Sequence, residues 1–198
     1  MADALLTREI LDKTSTDTVE RDVGLLSWSL AEGVFEEYGS PYWHEGKARV
    51  LIDVFTAEEV SPWIGLAVMK REASLGNTTN NPHLDERNLA DPFGVHFNES
   101  PDWPENAKKN LLLVPDAAAS YIDKVTPAAS AKGYRLPTFE ESASRAAVTL
   151  RKRTLVGYNP RGLGYKDEID DHLRQILRRT YNNHRLREEL ERVFAARR

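Results

Sequence analysis

The stretch Ser61-Pro-Trp-Ile-Gly-Leu-Ala-Val-Met-Lys-Arg-Glu-Ala-Ser-Leu-Gly76 decides how the chain is read. Ser61 followed by Pro62 supplies a helix N-cap and then proline at the first helical position, where its fixed φ suits the helix and its missing N–H is not needed. Gly76 can take the left-handed conformation that ends a helix, and the polar run Asn77 to Pro82 does not readily continue one. Between these stops the residues are almost wholly apolar, so a predominantly buried helix is expected. Ile64, Val68 and Glu72 are spaced by four, which places a carboxylate on an apolar stripe one turn from the helix end. Burial there disfavours the charged form and raises the pKa, the condition a general acid needs near neutral pH. Spacing alone equally admits a solvated Glu72 paired with Lys70 or Arg71.

Outward from this helix the patterning is helical on both sides. Leu5, Ile10 and Leu11, then Val23, Leu25, Leu26, Trp28 and Leu30, recur at roughly helical spacing, and Tyr38-Gly39-Ser40-Pro41 closes that region with a turn. The apolar segment 48–60 precedes Ser61. From Asn77 to Pro115 the composition turns to Asn, Pro, Asp and Gly with interspersed aromatics, the signature of loops, where function tends to sit. Helical patterning returns at Asp116–Val125, at Phe139–Arg153 with Ala143, Ala146, Ala147 and Leu150 on one side, and from Lys166 to the end. A turn-rich loop, Gly157 to Gly164, separates the last two. No segment alternates strictly enough for a long strand, and no internal repeat is visible. The expected class is mainly α, with at most a small β-hairpin in the 93–135 region. Three regions are expected: an N-terminal helical region (1–46) packed on the body, a body (47–175), and a basic C-terminal helix (176–198).

Composition bounds the function. The 198 residues are 40% hydrophobic and 29% charged, with four Trp, six Phe and seven Tyr, enough apolar surface for a single core. No cysteine is present, which excludes disulfides, thiolate metal sites and cysteine nucleophiles. The net charge is −4, but residues 151–198 hold 13 basic against 7 acidic side chains while residues 1–150 hold 14 against 24. An acidic body thus carries a basic tail, and a generic nucleic-acid coat is not expected. No window approaches the apolar run of about 20 residues that a membrane span needs. The charged N-terminus lacks a signal-peptide pattern, so synthesis in the cytoplasm is expected. His83, His96 and the acids between them lack metal-ligand spacing, and Walker, dinucleotide-binding and serine-hydrolase signatures are absent.

The run Glu72-Ala73-Ser74-Leu75-Gly76, followed by Asn88-Leu89-Ala90-Asp91-Pro92-Phe93-Gly94-Val95, resembles the motifs of the glucosaminidase branch of the lysozyme-like superfamily, glycoside hydrolase family 73. Those proteins end a helix in a Glu-Ser-x-x-Gly-type motif and follow it, after a polar loop, with a Pro-Phe-Gly-type motif. Tyr134-Arg135 with Phe139 to Ser142, and Gly157-Tyr158 with Tyr165, resemble two later family motifs in the right order. The resemblance spans about residues 47–175. The chain departs from the pattern at Ala73, where serine is usual, at Asp91-Pro92 in place of Asn-Leu, and at Asn159-Pro160 in place of Ala-Thr-Asp-Pro.

The resemblance implies an α+β lysozyme-like fold with a catalytic cleft, and cofactor-free hydrolysis of peptidoglycan glycan strands with endo-β-N-acetylglucosaminidase specificity. Glu72 would protonate the glycosidic oxygen between GlcNAc and MurNAc. Phe93 and Gly94 would shape the groove floor, the Phe93 ring stacking on a sugar, and Ser74, Asn88 and Asp91 would bind substrate. Tyr158 would line the cleft opposite Glu72. For Phe93 core packing, and for Tyr158 a loop anchor, are the plainer readings of the same residues. A second carboxylate would lie between the Phe-Gly motif and the Tyr134-Arg135 motif, with Asp102, Glu105 and Asp123 as candidates. The missing export signal suits a lysis protein, a virion-associated hydrolase or an otherwise delivered one. Two rivals remain: a non-catalytic lysozyme-fold scaffold, and a helical protein with accidental motif matches whose basic tail binds nucleic acid or a partner. The C-terminal helix, with Leu173, Ile176, Leu177, Leu186, Leu190 and Val193 near one side, reads as docked on its own domain, or its arginines hold an anionic wall polymer or a protein partner.

Overall fold

The computed structural model describes residues 6–84, 88–89, 91–94, 112–113, 134–135, 138–159 and 164–196. These form a mainly α fold. The N-terminal segment is broken into α1 (Arg8–Lys13), the single turn α2 (Thr16–Val19), a 3₁₀ turn (Val23–Leu25) and α3 (Trp28–Glu37). Short polar stops account for the breaks: Thr7 and Ser27 each accept a backbone N–H from the residue three positions on, capping α1 and α3. After a 3₁₀ turn (Pro41–Trp43) come α4 (Lys47–Ala57) and α5 (Pro62–Ala73), the latter continued by a 3₁₀ turn (Ser74–Gly76). A capping box of Thr138 and Glu141 opens α6 (Phe139–Lys152); α7 (Leu155–Tyr158), α8 (Tyr165–Asn182) and α9 (His184–Ala195) complete the chain.

Helix α5 is the centre. Every residue from Pro62 to Met69 is buried, as expected of a helix that is apolar all round. Helix α8 runs along it and α4 packs on its other side; α6 covers α4, and α9 packs on α3 and α8. Gly65 lets α4 come close, since a Cβ there would lie 2.8 Å from Phe55 and 2.9 Å from Leu51. Trp63, fully buried, donates its indole N–H to the Leu25 carbonyl over 2.7 Å and so ties the N-terminal segment to the core.

Three expectations need correction or fall outside the described residues. The boundary at 175/176 cuts through the middle of α8, whose buried Leu173, Ile176 and Leu177 belong to one continuous stripe, so no separate C-terminal unit begins there. Leu11, Leu30, Val34 and Phe35 of the N-terminal region join the same apolar cluster as the body, which is no departure from the expected packing of that region on it. Ser61 occupies the N-cap of α5, but its hydroxyl makes no cap bond and, among the described residues, is buried without a partner. The last expectation is the helix 116–125, which lies outside the described residues. In the 93–135 region a two-residue antiparallel ladder pairs Leu112 with Arg135 and Leu113 with Tyr134.

Helix α5 also stops earlier than Gly76 alone predicts. Ser74 (φ 48°), Leu75 (φ 54°) and Gly76 (φ 78°) are all left-handed. Each non-glycine in that region costs about 1–2 kcal/mol. The turn persists because Leu75 is fully buried, the Ser74 N–H reaches back to the Met69 and Lys70 carbonyls, and the Asn77 side chain donates to the Tyr38 carbonyl. The chain is thereby turned sharply two residues after Glu72.

Candidate active site

Glu72 stands on the last turn of α5, half-buried, where the helix meets the N-terminal end of α8. Its Oε1 accepts a hydrogen bond from the Tyr165 hydroxyl at 2.8 Å. Its Oε2 faces Gly94: a Cβ built on Gly94, whose φ is +64°, would lie 3.1 Å from that oxygen. Gly94 is therefore needed twice, for its left-handed backbone and for the room it leaves beside the acid. Gly94 is itself exposed, so the Oε2 side of the carboxyl faces the solvent-facing loop, while the Oε1 side faces Tyr165, which is 2% exposed.

Burial raises the Glu72 pKa above its ordinary value. The Tyr165 hydrogen bond and the Arg71 charge act the other way, and the negative charges of Asp91 and Glu168 add to the rise; the net shift is upward. Burial and the adjoining carboxylate likewise push the Tyr165 phenol far upward, so it stays a donor. A proton on Glu72 consequently belongs on Oε2, because Oε1 is already accepting from Tyr165.

The loop 91–94 is held by groups that the sequence had suggested for substrate. Asp91, 3% exposed, accepts from the Ser142 hydroxyl of α6. Phe93 is fully buried, its ring 5.6 Å from that of Phe55 and 5.9 Å from that of Phe139. Its ring is thus unavailable to stack on a sugar; it anchors the loop from below. The Tyr158 hydroxyl donates to the Phe93 carbonyl, and its ring stacks on Tyr165 at 6.1 Å. The Tyr158 hydroxyl therefore bonds the Phe93-Gly94 turn rather than Glu72, although the Glu72 charge still acts on it, and its ring packs on that of Tyr165. The hydroxyl on the acid is that of Tyr165, the last residue of the Gly157-Tyr158 motif.

Ser74 is half-buried in the left-handed turn and accepts from Asn81 at 3.3 Å. Asn88 is half-buried, and the neighbouring Leu89 carbonyl accepts from Tyr42 at 2.8 Å. Asp102, Glu105 and Asp123 lie outside the described residues. Among the described residues, the carboxylates that act on Glu72 are Asp91 and Glu168. Glu168 was missed from sequence; it pairs with Arg71 over 2.5 Å, which holds it below the usual carboxylate range, and Arg71 in turn lies 6.0 Å from the Tyr165 ring. Its signal was the spacing of Tyr165, Glu168, His172, Gln175 and Arg179, which line one face of α8. That face meets the end of α5: Tyr165 holds Glu72, Glu168 holds Arg71, and His172 and Gln175 hold Lys70.

No described helix is long and apolar enough to cross a membrane. No protein-family model matches the chain, and no curated protein or solved structure shows significant similarity to it.

Proposed function

We propose that this protein hydrolyses the glycan strand of peptidoglycan, as an endo-β-N-acetylglucosaminidase built on a lysozyme-like arrangement of helices, with Glu72 as the general acid. One observation carries the reading: a carboxyl with a raised pKa, at the end of a buried helix, with one oxygen bound by Tyr165 and the other turned to the exposed glycine of a Pro-Phe-Gly loop. A glycosidase acid must remain protonated until the leaving oxygen arrives. Desolvation of Glu72 supplies that, and the Tyr165 donor selects Oε2 as the oxygen that gives up the proton. Oxocarbenium-like charge developing on the sugar then meets the ionised Glu72. The ordered motifs from Glu72 to Tyr165 support the family, and the protein's site of action is the cell wall, reached as a lysis protein or a delivered hydrolase.

The burial of Phe93 favours a second reading, a lysozyme-fold scaffold without turnover, because the one ring expected to stack on a sugar belongs to the core instead. Digestion of purified peptidoglycan, with analysis of the new reducing ends, separates the two. GlcNAc ends support the glucosaminidase, MurNAc or anhydro-MurNAc ends move the protein to the muramidase or transglycosylase branch, and intact glycan with folded protein supports the scaffold.

A further inference from the structure

On the other side of the last turn of α5 from Glu72 lies a cavity of about 760 Å³, between α5, α8 and the end of α3. Its wall carries four cationic side chains, Lys70, Arg71, Arg178 and Arg179, against one carboxylate, Glu37. The three arginines are balanced: Arg71 by Glu168, Arg178 by Asp12 at 2.5 Å, and Arg179 by Glu37 at 2.9 Å. Lys70 is not. Its ammonium is half-buried and donates to two neutral groups, Nδ1 of His172 at 3.0 Å and Oε1 of Gln175 at 2.8 Å, and none of its partners among the described residues is a carboxylate.

The neutrality of His172 follows from its surroundings. Burial, then Lys70 and Arg71, push its pKa down to about 4, so at neutral pH the ring is uncharged, and the ammonium, which can only donate, takes Nδ1 as acceptor in the Nε2–H tautomer. Burial and the Arg179 charge lower the pKa of Lys70 itself. The Tyr38 ring, 5.9 Å from the ammonium, adds a cation–π contact, but every one of these partners is neutral, and a half-buried charge without an anion gains when one joins it. The cavity is of the size that takes a small organic molecule rather than a bare ion. The rest of its wall is rich in groups that pair with hydroxyl and amide functions, among them Ser74, Asn80 and Asn182.

We propose that this cavity is a binding site for an acidic sugar, with Lys70 meeting the carboxylate or phosphate and the amide and hydroxyl side chains meeting the sugar. Arg71 stands between this site and the acid: it lines the cavity, pairs with Glu168 and lies against Tyr165. The binding site does not require that Glu72 be catalytic, so the two readings fail separately.

Calorimetric titration with three probes tests it: N-acetylmuramic acid, N-acetylglucosamine 6-phosphate, and neutral N-acetylglucosamine. At least one acidic sugar should bind about tenfold more tightly than the neutral one, and that affinity should fall as salt rises. Which acidic sugar binds identifies the anion as carboxylate or phosphate. Lys70→Gln should weaken the acidic probe about tenfold, and Lys70→Arg should retain most of the binding. Equal affinity for all three probes, no binding of either acidic sugar up to about 10 mM, or unchanged affinity in a folded Lys70→Gln protein would overturn the proposal. If Lys70→Gln does not fold, the wild-type protein decides: affinity for the acidic probe that falls between about 50 and 500 mM salt while the neutral probe is unaffected supports the site, and salt-independent affinity rejects it.

Discussion

The Tyr165 hydroxyl donates to Oε1 of Glu72 across 2.8 Å, joining residues 93 positions apart, one at the end of α5 and the other at the start of α8. This contact leaves Oε2 as the proton-bearing oxygen, and it makes α8 part of the site.

Glu72→Gln should abolish hydrolysis while preserving the fold. The amide keeps the acceptor for Tyr165 and removes the transferable proton, so turnover on cell walls should fall by at least about 10²–10⁴. Stability should change in the opposite sense. A carboxyl whose folded pKa lies above its ordinary value of 4.5 binds protons more tightly when folded, so its stabilising contribution is present below the unfolded pKa and is lost as pH rises through the folded one. The glutamine variant should therefore melt at or above the wild-type temperature at pH 7, and the difference should shrink on acidification below the ordinary carboxylate range. A folded variant with wild-type turnover would sink the assignment of the acid.

Tyr165→Phe and Tyr158→Phe should part company. The Tyr165 hydroxyl lowers the Glu72 pKa, so its removal should raise that pKa further, move the pH–rate profile upward and reduce kcat by about tenfold. Tyr158→Phe removes the bond to the Phe93 carbonyl, so it should lower the melting temperature, by a loss of about 1 kcal/mol, more than it lowers turnover. Melting curves and pH–rate profiles of both variants check this. The reverse pattern would restore Tyr158 as the cleft tyrosine.

Gly94→Ala should harm activity and stability together. A side chain at φ +64° is strained by roughly 1 kcal/mol, and the added Cβ would press on Glu72 Oε2 at 3.1 Å. Reduced turnover with a small drop in melting temperature is expected; unchanged turnover would show that the loop does not approach the acid in solution.

Asp170 should make the fold sensitive to acid. Burial pushes its pKa up, but the Thr16 N–H and hydroxyl, each 2.7 Å from Oδ1, and Lys166 outweigh it, and the net shift is downward. A depressed carboxyl contributes stability above its unfolded pKa, ordinarily 3.8, and loses it as pH falls through the lower folded value. Asp170→Asn should therefore cost about 1–3 kcal/mol at pH 7 and progressively less below about pH 4, as the wild type loses the same contribution. Melting temperatures followed down the pH range measure it, and a pH-independent difference would contradict it.

Local sequence carried the helical class, the central helix and the place of Glu72 on it. Proline, glycine and apolar spacing act through backbone sterics and burial within a few residues, so Pro62–Ala73 could be read without its neighbours. The same holds for Phe139–Lys152 and for the apolar stripe of α8. Gly76 marks a stop in the sequence, but the end of α5 at Ala73, with Ser74 and Leu75 left-handed, is not legible there, because only the buried Leu75 and the Asn77 bond to Tyr38 hold that turn. The choice between Tyr158 and Tyr165 was likewise beyond reach, since both lie in one motif and the decision rests on which ring α8 carries to Glu72. Phe93 belonged to the core rather than the groove because Phe55 and Phe139, from α4 and α6, close over it. Lys70 reads as one more surface charge until α8 sets neutral His172 and Gln175 against it, for whether a charge is compensated depends on partners about a hundred residues away. Periodicity assigns a side chain to a face; packing alone assigns what that face meets.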